Sequence, residues 1–330
     1  MDLDVVILGT AGSVPTPGRA LSSALIRRGG ERFLLDCGEG TQRQMMRAGG
    51  LADIDIVLLT HLHADHTLGL PGMLKTFALR ERSVPLTIAG PVGTDSFFRQ
   101  ISPLIGRLPY ALDIVDVDDG WQCDGDGYVL EALETDHSVR SVGWMLREHD
   151  RPGHFDTDAA RALGVPYGPA FGELQRGNIV TLDDGTTIEP GQVLGEARQG
   201  RTIIYTGDTR ACRRIRESAA GASVLVHEAT FTVEEAARAV ETGHSTAHEA
   251  AVTAAAADVG LLVLTHISNR YAGRELLDEA LDVFDRTVLP RDFDVINVPF
   301  RERGDPELIA QGARPNAGRQ SRQAAPAAPS

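Results

Sequence analysis

The sequence predicts an α/β protein of four layers, in which two β-sheets lie together and helices cover their outer sides. Two observations carry this expectation. Short apolar runs recur in groups, with helical stretches between only some of them, a pattern of two sheets rather than strict βαβ repetition. Polar residues of metal-binding type then follow directly on several of these runs. With 330 residues, 42% of them hydrophobic, the chain has ample material for a large core.

Taken in order, residues 4–9 (DVVILG) read as a buried strand that closes in a glycine turn. Residues 32–36 (RFLLD) read as a second, followed by CGEG and a helix over 41–48. Residues 55–60 (DIVLLT) read as a third, opening into HLHADH, and 68–80 reads as a helix after a tight turn. Further strands are predicted at 86–89, 128–135, 141–147, 202–206, 223–227, 261–265 and 294–298, and helices at 233–242, 245–258 and 275–284. The 245–258 helix begins Thr246-Ala247-His248-Glu249, which fits a capping box.

Two segments stand apart from a main domain over residues 1–305. Residues 150–195 are rich in Gly, Pro, Asp and Arg, with one short helical stretch and little core pattern, and read as an insertion projecting from the body. Residues 306–330 end in ARPNAGRQSRQAAPAAPS, a low-complexity tail expected to be disordered.

Lys plus Arg supply 32 positive charges against 46 from Asp plus Glu, a net of −14, and Lys75 is the only lysine. An acidic, lysine-poor composition suits a host with concentrated salt inside its cells, and we read the source as a salt-adapted archaeon. GC-rich codon usage also explains arginine over lysine. Taken alone, this balance argues against a nucleic-acid partner, because phosphate binding is driven largely by cationic side chains. No apolar run approaches the roughly 18–20 residues of a membrane span, and the start MDLDVVILG is no signal peptide. Cys37, Cys123 and Cys212 form no CxxC pair, so neither a disulfide framework nor a thiolate zinc site is indicated. A cytoplasmic setting without membrane contact is expected.

The strongest local signal is His61-Leu62-His63-Ala64-Asp65-His66, four metal-type ligands at a strand end. Imidazole and carboxylate suit zinc, and a loop can turn alternate residues to one ion and the next pair to a second. His137, Asp208, His227 and His266 each follow closely on an apolar strand, where a sheet delivers side chains to one rim. Any one of them alone is more simply a structural residue; their joint placement reverses that preference.

HLHADH resembles the HxHxDH signature of the metallo-β-lactamase superfamily, which implies an αββα fold and two zinc ions. The chain resembles one branch of it, the tRNA 3′-processing endonucleases known as ribonuclease Z. The carrying segments are FLLDCGEGTQRQ (33–44), TDH at His137, YTGDTR around Asp208, HEAT (227–230), GHST (243–246), LTHIS around His266, and GVPYGPAFGELQRGNIVTLDDG (164–185), which resembles the family's flexible arm. The likeness runs over roughly residues 4–300. HxHxDH specifies only the superfamily; HEAT, HST and the arm are more selective.

The resemblance implies that His61, His63 and His137 bind a first zinc, that Asp65, His66 and His266 bind a second, and that Asp208 bridges both, giving two Zn2+ per subunit. It makes Asp65 the general base and His244 the general acid, held by Glu228. His248 reads as structural, and His227 as an ordinary or a positioning residue with equal weight. The implied substrate is precursor tRNA, cut to leave a 3′-hydroxyl on the tRNA and a 5′-phosphate on the trailer. The implied assembly is a homodimer in which the arm of one subunit presents tRNA to the other, and the implied substrate-binding residues are Arg161 and Arg176 on the arm and Arg19 on the loop after the first strand. One loop departs from the family's PxKxRN: Pro15 and Arg19 fit, but Pro17 and Ala20 replace Lys and Asn, which bears on precursors that already encode CCA. Competing readings are a small-molecule phosphodiesterase, arylsulfatase-like or lactonase-like hydrolase on the same fold, and an RNA-binding protein without chemistry. The arm and the HEAT/HST pair count against the first, the full ligand set against the second.

Overall fold

Apolar residues at nearly every position of LDVVILG leave no face for water, and the segment forms a strand buried on both sides, β1 (Leu3–Gly9). In the computed structural model, which describes residues 1–51 and 53–310, it opens a run of β2 (Ser23–Arg28), β3 (Glu31–Leu35), β4 (Ile56–Leu58), β5 (Leu86–Pro91) and β6 (Leu112–Val117). Next come β7 (Gln122–Gly125), β8 (Tyr128–Glu134) and β9 (Val142–Glu148), then the short pair β10 (Val180–Thr181) and β11 (Thr187–Ile188). They are followed by β12 (Thr202–Tyr205), β13 (Val224–Glu228), β14 (Leu261–Thr265), β15 (Thr287–Val288), β16 (Val295–Asn297) and β17 (Glu307–Ile309). The α-helices are α1 (Thr41–Arg47), α2 (Ala64–Thr67), α3 (Leu70–Leu79), α4 (Thr94–Ile105), α5 (Thr157–Ala162), α6 (Pro169–Gln175), α7 (Arg213–Ser218), α8 (Ala236–Thr242), α9 (Ala247–Ala257) and α10 (Arg274–Leu281).

The strands form two large sheets. One is ordered β17-β16-β1-β2-β3-β4-β5-β6, antiparallel as far as β3 and parallel from β3 to β6. The other is ordered β15-β14-β13-β12-β9-β8-β7, parallel as far as β12 and antiparallel beyond. Between them, Val5, Ile7, Phe33 and Leu35 pack in one core with Ala132, Trp144, Ile203 and Val226. Helices α1, α3 and α4 cover the outer face of the first sheet through Met45, Leu74 and Phe98. Helices α7, α9 and α10 cover the second through Ile215, Ala250, Ala254 and Leu276. The expected four layers are therefore present, each apolar face buried against the next.

Local chemistry explains several boundaries. Thr246 and Glu249 form the anticipated capping box, each side chain accepting the other's backbone N–H, and start α9 there. The alanine-rich α9 lies close on β13 and β14 because it presents small side chains. The Trp144 indole N–H donates to the Leu59 carbonyl at 3.0 Å, and Val142 N–H to the Thr60 carbonyl at 2.8 Å. These bonds tie the sheets together directly beneath HLHADH.

The structure departs from the sequence reading in several places, among them β6, β7, β15 and α7, which it adds. Strand β2 was not anticipated, although Gly29-Gly30 between two apolar runs is a hairpin signal. Helix α4, with Phe98 and Ile105 buried, was not anticipated either. Residues 150–195 hold two helices, the β10–β11 hairpin and a small core of their own, including Phe155, Val165, Phe171, Leu174 and Ile188, rather than one helical stretch with little core pattern. Residues 307–309, placed in the tail by sequence, pair with β16 as an edge strand, because Leu308 packs against the inter-sheet core. Residues 311–330 of the expected tail lie outside the described residues.

Candidate metal centre

Strands of both sheets end on one rim, as parallel strands deliver their C-terminal ends to a common edge. Asp36 follows β3, His61 and His63 follow β4, Asp65 and His66 sit on α2, His137 follows β8, Asp208 follows β12, Glu228 ends β13 and His266 follows β14. The extended stretch up to His63, the N-cap of α2, points one way, and the helical turn sends Asp65 and His66 another.

Two donor groups result. In the first, His61 Nε2 and His63 Nδ1 lie 3.0 Å apart, and His137 Nε2 lies 3.4 Å from His63 Nδ1. Nitrogens at 2.0–2.1 Å around a tetrahedral zinc are separated by about 3.3 Å, so this spacing fits the ion. In the second, His266 Nε2 is 3.4 Å from Asp65 Oδ2, and His66 Nε2 is 3.6 Å from the same oxygen. Asp208 lies between them, 3.7 Å from His61, 3.5 Å from His66 and 3.2 Å from His266. His66 Nε2 and Asp208 Oδ1 are buried with no hydrogen-bond partner among the described residues. Orphaned polar atoms of this kind are costly unless a cation engages them. The seven residues singled out as metal ligands thus converge, and their donor atoms suit two dications.

The opposite ring nitrogens of His61, His66, His137 and His266 are held by protein groups, which fixes the orientation of these imidazoles. His66 Nδ1 meets Asp36 at 2.8 Å, His137 Nδ1 meets the Gly243 carbonyl at 2.7 Å, His266 Nδ1 meets Thr230 Oγ1 at 2.9 Å, and His61 Nδ1 meets Thr60 Oγ1 at 3.1 Å. Gly243 has φ of 83°, and a Cβ there would press on His137 Nδ1 at 2.9 Å, so both conformation and space demand glycine. Asp36 and His266 each adopt φ of 55°, strained conformations held by their surroundings. Asp36 was missed as a site residue. It accepts from Thr60 N–H, the Thr60 hydroxyl and the Tyr205 hydroxyl as well as meeting His66. The signal that marked Asp208 and His266, a polar residue just past an apolar strand, marks Asp36 equally.

Beside this cluster His244 Nδ1 lies 2.9 Å from Glu228 Oε1. Glu228 is fully buried and also accepts from Thr209 N–H at 2.7 Å and from the Thr230 hydroxyl. Its carboxylate is therefore clamped, and it clamps His244 in turn. Burial disfavours a charged His244, but Glu228 and, more weakly, Asp208 outweigh it and raise its pKa to about 9. Burial likewise works against the Asp65 and Asp208 anions, yet the surrounding imidazoles hold both carboxyls below their usual range. His61 is kept neutral, first by burial and then by neighbouring His66, which is the form a metal requires. His227 is buried with Nδ1 against the Glu228 carbonyl and lies outside the donor groups, as does the exposed His248. Arg19 bonds Thr10 Oγ1 at 2.7 Å beside the rim. Arg161 and Arg176 stand on the arm, each paired three residues back with Asp158 or Glu173.

The metallo-beta-lactamase superfamily model matches residues 16–266. A "Ribonuclease Z" of Natronomonas pharaonis is 46% identical over 91% of this chain and 99% of its own. Another of Haloferax volcanii is 46% identical over 92% and 97%, and one of Gemmatimonas aurantiaca 45% identical over 92% and 98%. Among solved structures, the short form of human tRNase Z superposes with a TM-score of 0.63 at 28% identity, over 90% of this chain and 99% of that one. The metallo-beta-lactamase fold protein YhfI of Bacillus subtilis, with a TM-score of 0.65 at 19% identity over 90% and 100%, shares the fold. The chain belongs to the metallo-β-lactamase superfamily and, within it, to the ribonuclease Z family.

Proposed function

We propose that this protein is a zinc-dependent endoribonuclease that removes the 3′ trailer from tRNA precursors, leaving a 3′-hydroxyl on the tRNA and a 5′-phosphate on the trailer. The observation that carries it is the clamped Glu228–His244 pair against a two-ion donor set, in a chain of ribonuclease Z family. His61, His63 and His137 would hold one zinc, Asp65, His66 and His266 the other, with Asp208 shared. Two such ions supply an activated water and charge for the phosphate oxygens.

The remaining steps belong to the chain's own groups. Asp65, held as an anion and fixed by Ser13 N–H at 2.8 Å, accepts the proton of the attacking water. His244 donates a proton to the leaving ribose 3′ oxygen. Glu228 holds that imidazole in place through Nδ1, which leaves Nε2 as the donor. The arm, folded as a separate small body, grips the tRNA away from the metals. A homodimer is supported by exposed Met46, Leu68, Leu79 and Leu104, which lie on or beside α1, α3 and α4. No helix of the described residues is long and apolar enough to cross a membrane. The proposed action on precursor tRNA implies a cytoplasmic setting.

The test is cleavage of a 3′-extended tRNA transcript at several salt concentrations by wild type, His63→Ala and a deletion of about residues 155–190. Wild type is expected to release the trailer at the tRNA end, with about two zinc equivalents bound per subunit by metal analysis. An intact transcript beside efficient hydrolysis of a small ester would show the reading to be wrong.

A further inference from the structure

The chain just ahead of His244 is a weak helix. Helix α8 has seven residues, and Ala239 is the buried one among them. Isolated helices this short do not persist in water, and one small buried side chain adds little packing. The C-terminal turn of α8 is nevertheless fixed, because Arg210 reaches it. Arg210 Nε and Nη2 donate to the Val240 carbonyl at 2.9 and 2.7 Å, and Nη1 donates to Asp136 Oδ1 at 2.9 Å. That carbonyl lies in the last turn, where the helix itself supplies no donor. A cation there also meets the negative end of the helix dipole.

Three segments of the rim meet on this guanidinium. Arg210 follows closely on Asp208, Asp136 immediately precedes His137, and Val240 stands one helical turn before His244. The first two segments are also joined by bonds that do not involve the Arg210 side chain. Arg210 N–H donates to the Asp136 carbonyl at 2.8 Å, and Asp136 N–H donates to Thr209 Oγ1 at 3.0 Å. The His137 segment would therefore keep its place without the guanidinium. The end of α8 depends on it more.

We propose that Arg210 is a positioning residue for His244, holding the backbone from which this acid projects. This rests on the endonuclease reading, in which His244 protonates the leaving 3′ oxygen. Glu228 Oε1 at 2.9 Å and Thr230 Oγ1 at 3.4 Å both meet the ring at Nδ1. The ring also stacks on His266 with centroids 5.2 Å apart. A ring held at one atom and stacked on one face can still turn in its own plane, so the backbone must set its direction. His244 N–H donates to the Ala239 carbonyl at 2.8 Å, and its backbone therefore moves with the end of α8. On the other side, Ser245 Oγ donates to the Thr209 carbonyl at 2.6 Å. His244 is thus pinned before and after to Thr209 and Arg210, the residues directly beyond Asp208, with Arg210 holding the helical side. The acid and the carboxylate between the two donor groups then share one frame. Proton transfer to a leaving oxygen needs that frame held within a fraction of an ångström.

The test uses the zinc-loaded full chain and two substrates that differ in their need for an acid. A 3′-extended tRNA transcript loses a ribose 3′ oxygen, which must be protonated, whereas bis(p-nitrophenyl) phosphate loses p-nitrophenolate, which leaves without a proton. Arg210→Ala should lower kcat on the transcript about 10–100-fold with KM little changed, and lower turnover of the small diester by less than about threefold. Zinc content should stay at the wild-type level. Amide exchange over residues 239–244 should quicken about tenfold, in the metal-free chain as well. Arg210→Lys should recover only part of the transcript rate, since one ammonium cannot reproduce the fork. If Arg210→Ala does not fold, Arg210→Lys must show the same unequal loss. Equal losses on the two substrates, loss of zinc, an unchanged transcript rate or unchanged amide exchange overturns the inference while leaving the function standing. His244→Ala checks the reading beneath it: if that variant loses equally on both substrates, the acid role falls and the inference with it. A wild type that leaves the transcript intact removes both.

Discussion

The metal rim and the arm are built on opposite principles. Several rim side chains are held by residues far away in sequence: Asp36 by Tyr205, His137 by Gly243, His266 by Thr230, Glu228 by Thr209. Most are buried, and backbone strain at Asp36 and His266 is retained because the surroundings overdetermine it. The arm is local. Its core uses only residues 155–194, and the ion pairs of the exposed Arg161 and Arg176 span three residues. Chemistry needs groups fixed within a fraction of an ångström, whereas gripping a large substrate tolerates movement.

That contrast can be broken in graded steps. His63→Ala removes a donor from the first group and should lower cleavage of precursor tRNA and of a small phosphodiester alike by on the order of 10^3-fold or more. Zinc content measured by mass spectrometry should fall with it. Glu228→Gln should cost about 10^2–10^3-fold in kcat. In the proposed acid role His244 acts protonated, so activity should be lost as pH rises through its pKa. Without the carboxylate that raises this pKa, the alkaline limb of the pH–rate profile should move to lower pH. A limb that stays in place would remove His244 from the acid role.

Deleting about residues 155–190 should weaken cleavage of precursor tRNA by about 10^2-fold, as loss of a second contact on one substrate does, and spare the small phosphodiester. Gly153 and Gly195 backbones already touch at the arm's base, so a short linker can close the gap. An arm deletion that cuts tRNA as well as wild type would end the binding role. Asp36→Asn should cost about 10–100-fold in metal affinity, measured by chelator competition, through misorientation of His66. Phe171→Ala should do least. It loosens the arm core by about 3 kcal/mol, which limited proteolysis should detect within the arm while small-substrate turnover holds.

The charge balance takes its place in this contrast. Net charge of −14 read alone argued against RNA, yet part of that acid is paired with arginine at the surface. In concentrated salt the screening length falls to about 3 Å at 1 M, so distant carboxylates scarcely repel a polyanion.

The four-layer class, the metal-type ligands and the capping box were legible because each follows from a local pattern: apolar period, residue type at a strand end, side-chain reach over one turn. Asp36 carried the same signal as Asp208 and was passed over because a lone Asp after a strand is common. Strand β2 was hidden by its arginines, which lie at the end of an otherwise apolar run and find Asp4 and Glu148 as partners. The arm's core was hidden because its apolar residues are separated by turns that break any period.

The sequence by itself determined which residues can bind metal and move protons, since that is fixed by side-chain chemistry. Only the tertiary structure decided which ring nitrogen of each histidine faces the centre and that Asp208 stands between both groups. Those are relations between atoms brought together from opposite ends of the chain. They arise only when both sheets close on a common core and carry their strand ends to one rim.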